Sequence, residues 1–254
     1  MATDENRVAL VTGSGKGVGA GVVKVLCRNG VKCCINCNTN REMAEKTLAA
    51  VQAEGGEAFL FQADVTKPEE LKSMVEATVV RYGRLDILVN NAAMQHNRFV
   101  DEYDADTLRR LWEINIGGYW RTTRACLPYL RQSPMARIVN ISSIHGKRPT
   151  CFDAGYAMTK GAIRMFGREL ALELIPDHIP VNTVDLGGCK IEFKTGHAPI
   201  RSCMPLEAYD PNGLVRPKPV YPEQVGELVW FLCSKAADSL DGDGIRQDAG
   251  AALS

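Results

Sequence analysis

The chain has 254 residues, enough for one large α/β domain with a sizeable core. It is 45% hydrophobic and 24% charged, and its thirty basic residues balance thirty acidic ones, which argues against nucleic-acid or membrane-surface binding driven by bulk charge. No apolar run reaches the roughly 20 residues of a membrane-spanning helix, and neither the N-terminal residues nor the final Ala-Leu-Ser reads as an address signal, so a cytoplasmic protein with free thiols at its nine cysteines is expected.

Strand and helix patterns alternate along the whole chain. Arg7–Val11 reads as a strand and Gly17–Asn29 as a helix. Lys32–Cys37 is a strand, where alternation sends Cys33 and Cys37 to one face and Cys34 to the other, which disfavours a shared metal. A helix over about Arg41–Glu54, a strand at Glu57–Gln62 and a helix from about Pro68 to Tyr82 follow. Asp86–Val89 is the fourth strand and about Asp104–Leu130 one long helical stretch. Arg137–Ile141 is the fifth strand, about Gly155–Leu174 a helix, and Pro180–Val184 the sixth strand. Pro222–Ser234 is a late helix and Gly244–Gln247 a short last strand. The alternation predicts one doubly wound domain over 1–254, with a parallel sheet of about seven strands and helices on both faces. The stretch 187–219, rich in Pro, Gly and charge, is the expected substrate lid.

The first strand runs into Thr12-Gly13-Ser14-Gly15-Lys16-Gly17-Val18-Gly19 at the start of a helix. Glycines there let the backbone turn sharply and approach a pyrophosphate at the helix N-terminus. The second strand ends in Cys37-Asn38-Thr39-Asn40-Arg41, without the acid that would hold a ribose 2′-hydroxyl. Lys16 and Arg41 offer charge for a 2′-phosphate, and Asn38 and Thr39 offer donors. NADP is therefore expected over NAD.

Tyr156 and Lys160 stand four apart on one helix, hence on one face. A phenol is a poor proton carrier at neutral pH, and a nearby ammonium favours its ionised form. The preceding strand ends in Ser142 and Ser143, either of which offers a hydroxyl for the same reacting oxygen.

With glycine loop, serine strand and Tyr-x-x-x-Lys in this order, the chain resembles a single-domain short-chain dehydrogenase/reductase over nearly its whole length. The resemblance implies strand order 3-2-1-4-5-6-7 and a catalytic tetrad of Asn115, Ser143, Tyr156 and Lys160. In it Tyr156 is the general acid or base, Lys160 lowers its pKa and holds ribose hydroxyls, Ser143 orients the substrate oxygen, and Asn115 helps position Lys160 through water. It implies cofactor contacts at Gly13, Ser14, Lys16, Gly17, Val18, Gly19, Asn38, Thr39, Asp64, Val65, Asn91, Ala92, Tyr156, Lys160 and Cys189, and assembly as a homotetramer or homodimer. Departures from the family pattern stand at Gly15, where a bracing serine is common, at Ala93, at Pro180, at Asp185-Leu186-Gly187-Gly188 and at Gln247-Asp248-Ala249-Gly250.

Gln95, His96, His145, Lys147, Arg148, Phe152 and Asp153, with Lys190, Lys194, His197 and Arg201 of the lid, suggest a polar, locally basic pocket. The expected reaction interconverts an alcohol and a carbonyl on a small polar compound such as a sugar, polyol, oxo-ester or oxo-acid. The alternative is a retired enzyme that binds dinucleotide as a sensor or scaffold. The altered turn at Leu186 favours it and the complete tetrad opposes it.

Overall fold

The computed structural model describes residues 6–149, 153–191 and 219–251. Seven strands, β1 (Val8–Val11), β2 (Lys32–Cys37), β3 (Ala58–Gln62), β4 (Ile87–Asn90), β5 (Arg137–Ser143), β6 (Val181–Leu186) and β7 (Gly244–Gln247), form one sheet in the order β3-β2-β1-β4-β5-β6-β7. Every pairing is parallel. Parallel neighbours need a crossover, and helices provide it: α1 (Gly17–Arg28), α2 (Arg41–Ala53), α3 (Pro68–Tyr82), α4 (Ala105–Trp112), α5 (Gly118–Leu130), α6 (Ala154–Glu173) and α7 (Pro222–Cys233).

The strands are apolar on both faces because both faces are covered. Ala9, Val11, Cys33, Cys37 and Val184 join Val22, Leu26, Ala44, Val225 and Val229 in the core beneath α1, α2 and α7. Val8, Leu10, Cys34 and Val181 join Leu71, Met74, Cys126 and Leu170 beneath α3, α5 and α6. The two-residue alternation expected of the Cys33–Cys37 stretch is therefore the observed one. The helices start where side chains or proline allow it. Asn40, Asp104 and Asp153 cap α2, α4 and α6, and Pro68 and Pro222 open α3 and α7.

Four boundaries differ from the sequence reading for physical reasons. The long stretch expected over Asp104–Leu130 is two helices joined by a π turn at Glu113–Gly117. That turn carries the buried Asn115, whose carboxamide bonds the backbone of Met94 outside the helix. Strand β5 runs on to Ser143 and β6 to Leu186, because the polar Ser142 and Asp185 pair across the sheet as Ile141 and Val184 do. Strand β4 likewise includes Asn90, whose amide donates to Thr123 and Asn140 at 3.0 Å each. Most of the expected lid, 192–218, lies outside the described residues, with Lys194, His197 and Arg201 in it; Phe152 lies outside them too. No described helix is long and apolar enough to cross a membrane.

Helices α1 and α7 touch backbone to backbone. A Cβ on Gly21 would lie 2.3 Å from the carbonyl carbon of Pro222, and one on Gly226 would lie 2.7 Å from the Gly21 carbonyl oxygen. Gly21→Ala should therefore lower stability by about 1–3 kcal/mol in urea unfolding, although alanine raises helix propensity. An unchanged or higher midpoint would show that the helices do not meet at this point.

Candidate active site

The C-terminal ends of β1, β4, β5 and β6 bring the expected residues to one edge of the sheet. At the end of β1, Gly13 and Gly17 have φ of +61° and +59°, the left-handed region that glycine alone enters freely. A Cβ on Gly13 would lie 2.8 Å from the Ala92 backbone, and one on Gly19 would lie 2.6 Å from the Asn91 amide nitrogen. Asn91 pins the loop from the other side, its amide donating to the carbonyls of Thr12 (2.8 Å) and Gly13 (3.1 Å). Thr12 accepts the N–H groups of Asn91 and Ala92 on its hydroxyl.

Ser14 is turned inward. Its hydroxyl donates to the Val11 carbonyl at 2.6 Å and accepts the Asn36 N–H at 3.0 Å, so its side chain braces the loop and does not face outward. The buried Asn36 completes the brace by accepting the Gly13 N–H at 2.9 Å and donating to the Ala63 carbonyl at 3.0 Å. Together these two residues brace the loop from within. Gly15 cannot carry a side chain here: a Cβ would lie 2.8 Å from Cβ of Ala44 and 3.2 Å from Cβ of Cys37.

Lys16 is exposed at the N-cap of α1 and makes no side-chain cap bond, and no acid occupies the first turn. The absence of an acid in that turn leaves its N–H groups suited to a phosphate. Val18 packs partly buried against the core beside them. Asn38 and Thr39 are exposed at the end of β2. Arg41 instead pairs with Glu45 at 2.8 Å across one helical turn, an exposed contact of little strength. Burial raises the Asp64 carboxyl, but bonds from Thr66 and Asn38 and the charge of Arg110 outweigh it and hold the group below the usual carboxylate range. Val65, buried, packs where a Cβ on Gly118 would stand.

On α6, Tyr156 and Lys160 share a face, with the Lys160 amino group 5.4 Å from the centre of the Tyr156 ring. Lys160 is 1% exposed. Its ammonium donates to the Ile141 carbonyl of β5 at 2.9 Å and lies 5.7 Å from the Tyr119 ring centre. Burial alone pulls its pKa down to about 7. Burial pushes Tyr156 above the usual phenol range, Asp153 adds to the rise, and a hydrogen bond with Ser143 opposes it. Among the protein's own groups desolvation is the first influence on both, and it favours their neutral forms. Ser143 is buried at the end of β5 and accepts the His145 N–H at 3.3 Å. The His145 ring stands edge-on to Tyr156, centres 5.8 Å apart, and burial lowers its pKa despite the opposing charge of Asp153. The Asn115 carboxamide is taken up by Met94 N–H (2.7 Å), Met94 carbonyl (2.9 Å) and the Thr159 hydroxyl (3.0 Å), so it reaches α6 beside Lys160 and not Lys160 itself.

Beyond β6 the chain turns through Gly187 and Gly188 to Cys189, which bridges Val220. Cys189 is half-buried, and burial pushes its thiol up to about 11. Ile191 reaches back over the glycine loop, its methyl 3.4 Å from where a Gly17 Cβ would be. The unusual turn fits the unusual end of β7: a Cβ on Gly187 would lie 2.5 Å from Cβ of the buried Asp248. Sequence reasoning missed Asn36, read Thr12 only as part of the glycine motif, placed Asp153 only as a pocket residue, and assigned Ser14 to the cofactor. An inward hydrogen-bonding role leaves no periodic trace in the chain.

This sheet, glycine loop and serine–tyrosine–lysine group define a dinucleotide-binding oxidoreductase scaffold. The short chain dehydrogenase family model matches residues 7–198, and the chain belongs to that family, one of NAD(P)-dependent oxidoreductases. It is 33% identical to an uncharacterized oxidoreductase of Methylorubrum extorquens, over 98% of this chain and 99% of that one. It is similar to a short-chain dehydrogenase of Burkholderia cenocepacia in complex with NADP (TM-score 0.85, 26% identity, 98% of each chain covered). It is also similar to a variant of the actinorhodin polyketide ketoreductase with NADPH (TM-score 0.85, 28% identity, 99% of each chain covered).

The lowered Lys160 pKa has a measurable sign. Between about pH 7 and about pH 10 the unfolded chain holds a proton on this lysine that the folded one has lost, so its contribution makes stability rise with pH there. Unfolding free energies measured across that window should climb more steeply for the wild type than for Lys160→Met. Parallel profiles would show that the amine is not desolvated.

Proposed function

We propose that this protein interconverts an alcohol and a carbonyl, with Tyr156 as the group that moves the proton. The observation carrying this reading is that Tyr156 meets the Ser143 hydroxyl on one side and the buried Lys160 amine on its own helix face. A phenol held in its protonated form is ready to donate to a carbonyl oxygen, the step needed for reduction. Ser143 would hydrogen-bond the same oxygen and stabilise charge on it. Lys160, anchored by Ile141, would hold ribose hydroxyls and bias Tyr156, and Asn115 would keep α6 and the β4 exit in register around it.

The residues present fit a nicotinamide dinucleotide. Gly13, Gly17 and Gly19 leave the space, and the uncapped start of α1 leaves N–H groups for the pyrophosphate. Asp64 and Val65 would flank the adenine, Asn91, Ala92 and Cys189 the nicotinamide side, and Val18 the turn between. When bound, the nicotinamide supplies or takes the hydride. NADP is favoured because no acid stands at 37–41, while Lys16, Asn38 and Thr39 are exposed around that strand end. The two similar structures hold NADP and NADPH, which supports this choice.

The polar wall of Gln95, His96, His145, Lys147 and Arg148 supports a small oxygenated substrate, such as a sugar, polyol, oxo-ester or oxo-acid. Trp112, Trp120, Met158 and Met165 are exposed on α4, α5 and α6, which supports assembly into a homodimer or homotetramer.

Tyr156→Phe should cut turnover on a carbonyl panel by about 100-fold or more and leave NADPH affinity, read by cofactor fluorescence, within about twofold. Turnover near that of the wild type would remove the proton-transfer role. Cys37→Asp should lower the ratio of NADP to NAD efficiency, since a carboxylate at the strand end repels a 2′-phosphate and suits a 2′-hydroxyl. A ratio that does not fall would show that this strand end does not read the 2′-group.

A further inference from the structure

We propose that Asp153 is a positioning residue for this reaction: its carboxylate clasps the loop leaving β4 to the first turn of α6, and so sets the substrate wall against Tyr156. The inference rests on the reading of Tyr156 as proton carrier.

Asp153 is 5% exposed and accepts from two directions. Its Oδ1 accepts the Tyr156 N–H at 2.9 Å, as the N-cap of α6, and the Tyr103 hydroxyl at 2.5 Å. Its Oδ2 accepts the N–H groups of Asn97 at 2.9 Å and His96 at 3.3 Å. All four partners donate, so the site needs a group that only accepts, and a carboxylate is the one side chain that meets this on both oxygens. An amide would turn an NH₂ towards either the loop or the helix N-terminus.

The loop is shaped to reach this carboxylate. Asn97 has φ of +55°, a left-handed conformation that asparagine tolerates better than most residues, and its side chain accepts from Gln95 at 2.8 Å. The Tyr103 ring occupies the space where a Cβ on Gly155 would stand, 2.9 Å from its Cζ and 3.1 Å from its hydroxyl oxygen. Glycine directly before Tyr156 is what lets the Tyr103 hydroxyl enter. At the other end of the same segment, Met94 is held on both its N–H and its carbonyl by Asn115, which also bonds Thr159 on α6. Residues 94–97 are therefore fastened to α6 at both ends, with Tyr156 between the two fastenings. Gln95 and His96, the first polar residues expected to meet a substrate, lie in the fastened segment.

Four variants of the full chain test this: Asp153→Ser, Tyr103→Phe, Gly155→Ala and, as reference, Tyr156→Phe. Serine keeps the helix cap and drops the loop. Each is assayed for melting temperature, NADPH affinity by fluorescence, and kcat and KM on the best carbonyl compound of a panel. Asp153→Ser should raise KM and lower kcat/KM by about 10- to 100-fold, with NADPH affinity within about twofold, because a misplaced wall affects substrate and not cofactor. Tyr103→Phe, which leaves the cap intact, should move KM the same way by a smaller factor. Gly155→Ala should do so despite its gain in helix propensity. Wild-type kcat/KM in Asp153→Ser or Tyr103→Phe, or a loss that falls equally on NADPH affinity, overturns the proposal alone. Wild-type turnover by Tyr156→Phe overturns the parent reading and this one with it.

Discussion

The seam between β5 and α6 is the constraint on which the site depends. Strand β5 ends in Ile141-Ser142-Ser143, and each residue is tied to the helix. Ile141 receives the Lys160 ammonium at 2.9 Å, and the Ser142 hydroxyl donates to the Lys160 carbonyl at 2.9 Å. Gly146 lets the chain after β5 pass so close that a Cβ there would lie 2.6 Å from the Lys160 backbone. These contacts hold both the side chain and the backbone of Lys160, and so fix where Tyr156 stands one turn earlier. They also remove Lys160 from water, which makes its charge sensitive to whatever shares the site.

The glycine loop is held by a different logic. It is not one residue that stiffens it but a ring of inward bonds from Thr12, Ser14, Asn36 and Asn91. Each satisfies a backbone group that would otherwise be buried and unpaired. The uncapped start of α1 beyond it, beside the exposed Lys16, suits an anion.

The order of strands and helices was legible because hydrophobic period and glycine punctuation survive in a linear string. Tyr156, Lys160 and Ser143 were legible because helix pitch and strand ends convert spacing into geometry. Asn115 was found by resemblance, but not the π turn that carries it, since the same residues read as continuous helix until Met94 is brought alongside. Asp153 and Asn36 were harder still. Their partners include backbone N–H groups 23 to 57 positions away, and no local pattern announces such partners. The departures at Gly187 and Asp248 looked like separate oddities in the sequence and are one packed contact in space.

The crowding around Gly15 has an evolutionary consequence. With the Ala44 methyl and Cys37 already filling the place of a side chain at 15, a serine there meets a collision in this background. The barrier is lifted by shrinking a neighbour, with Ala44 the nearer of the two. The order of substitutions therefore matters: glycine at 44 opens a path to serine at 15, whereas serine first meets a collision. Loop and second helix are thus sterically coupled, and the residue allowed at 15 is conditional on a partner twenty-nine positions downstream.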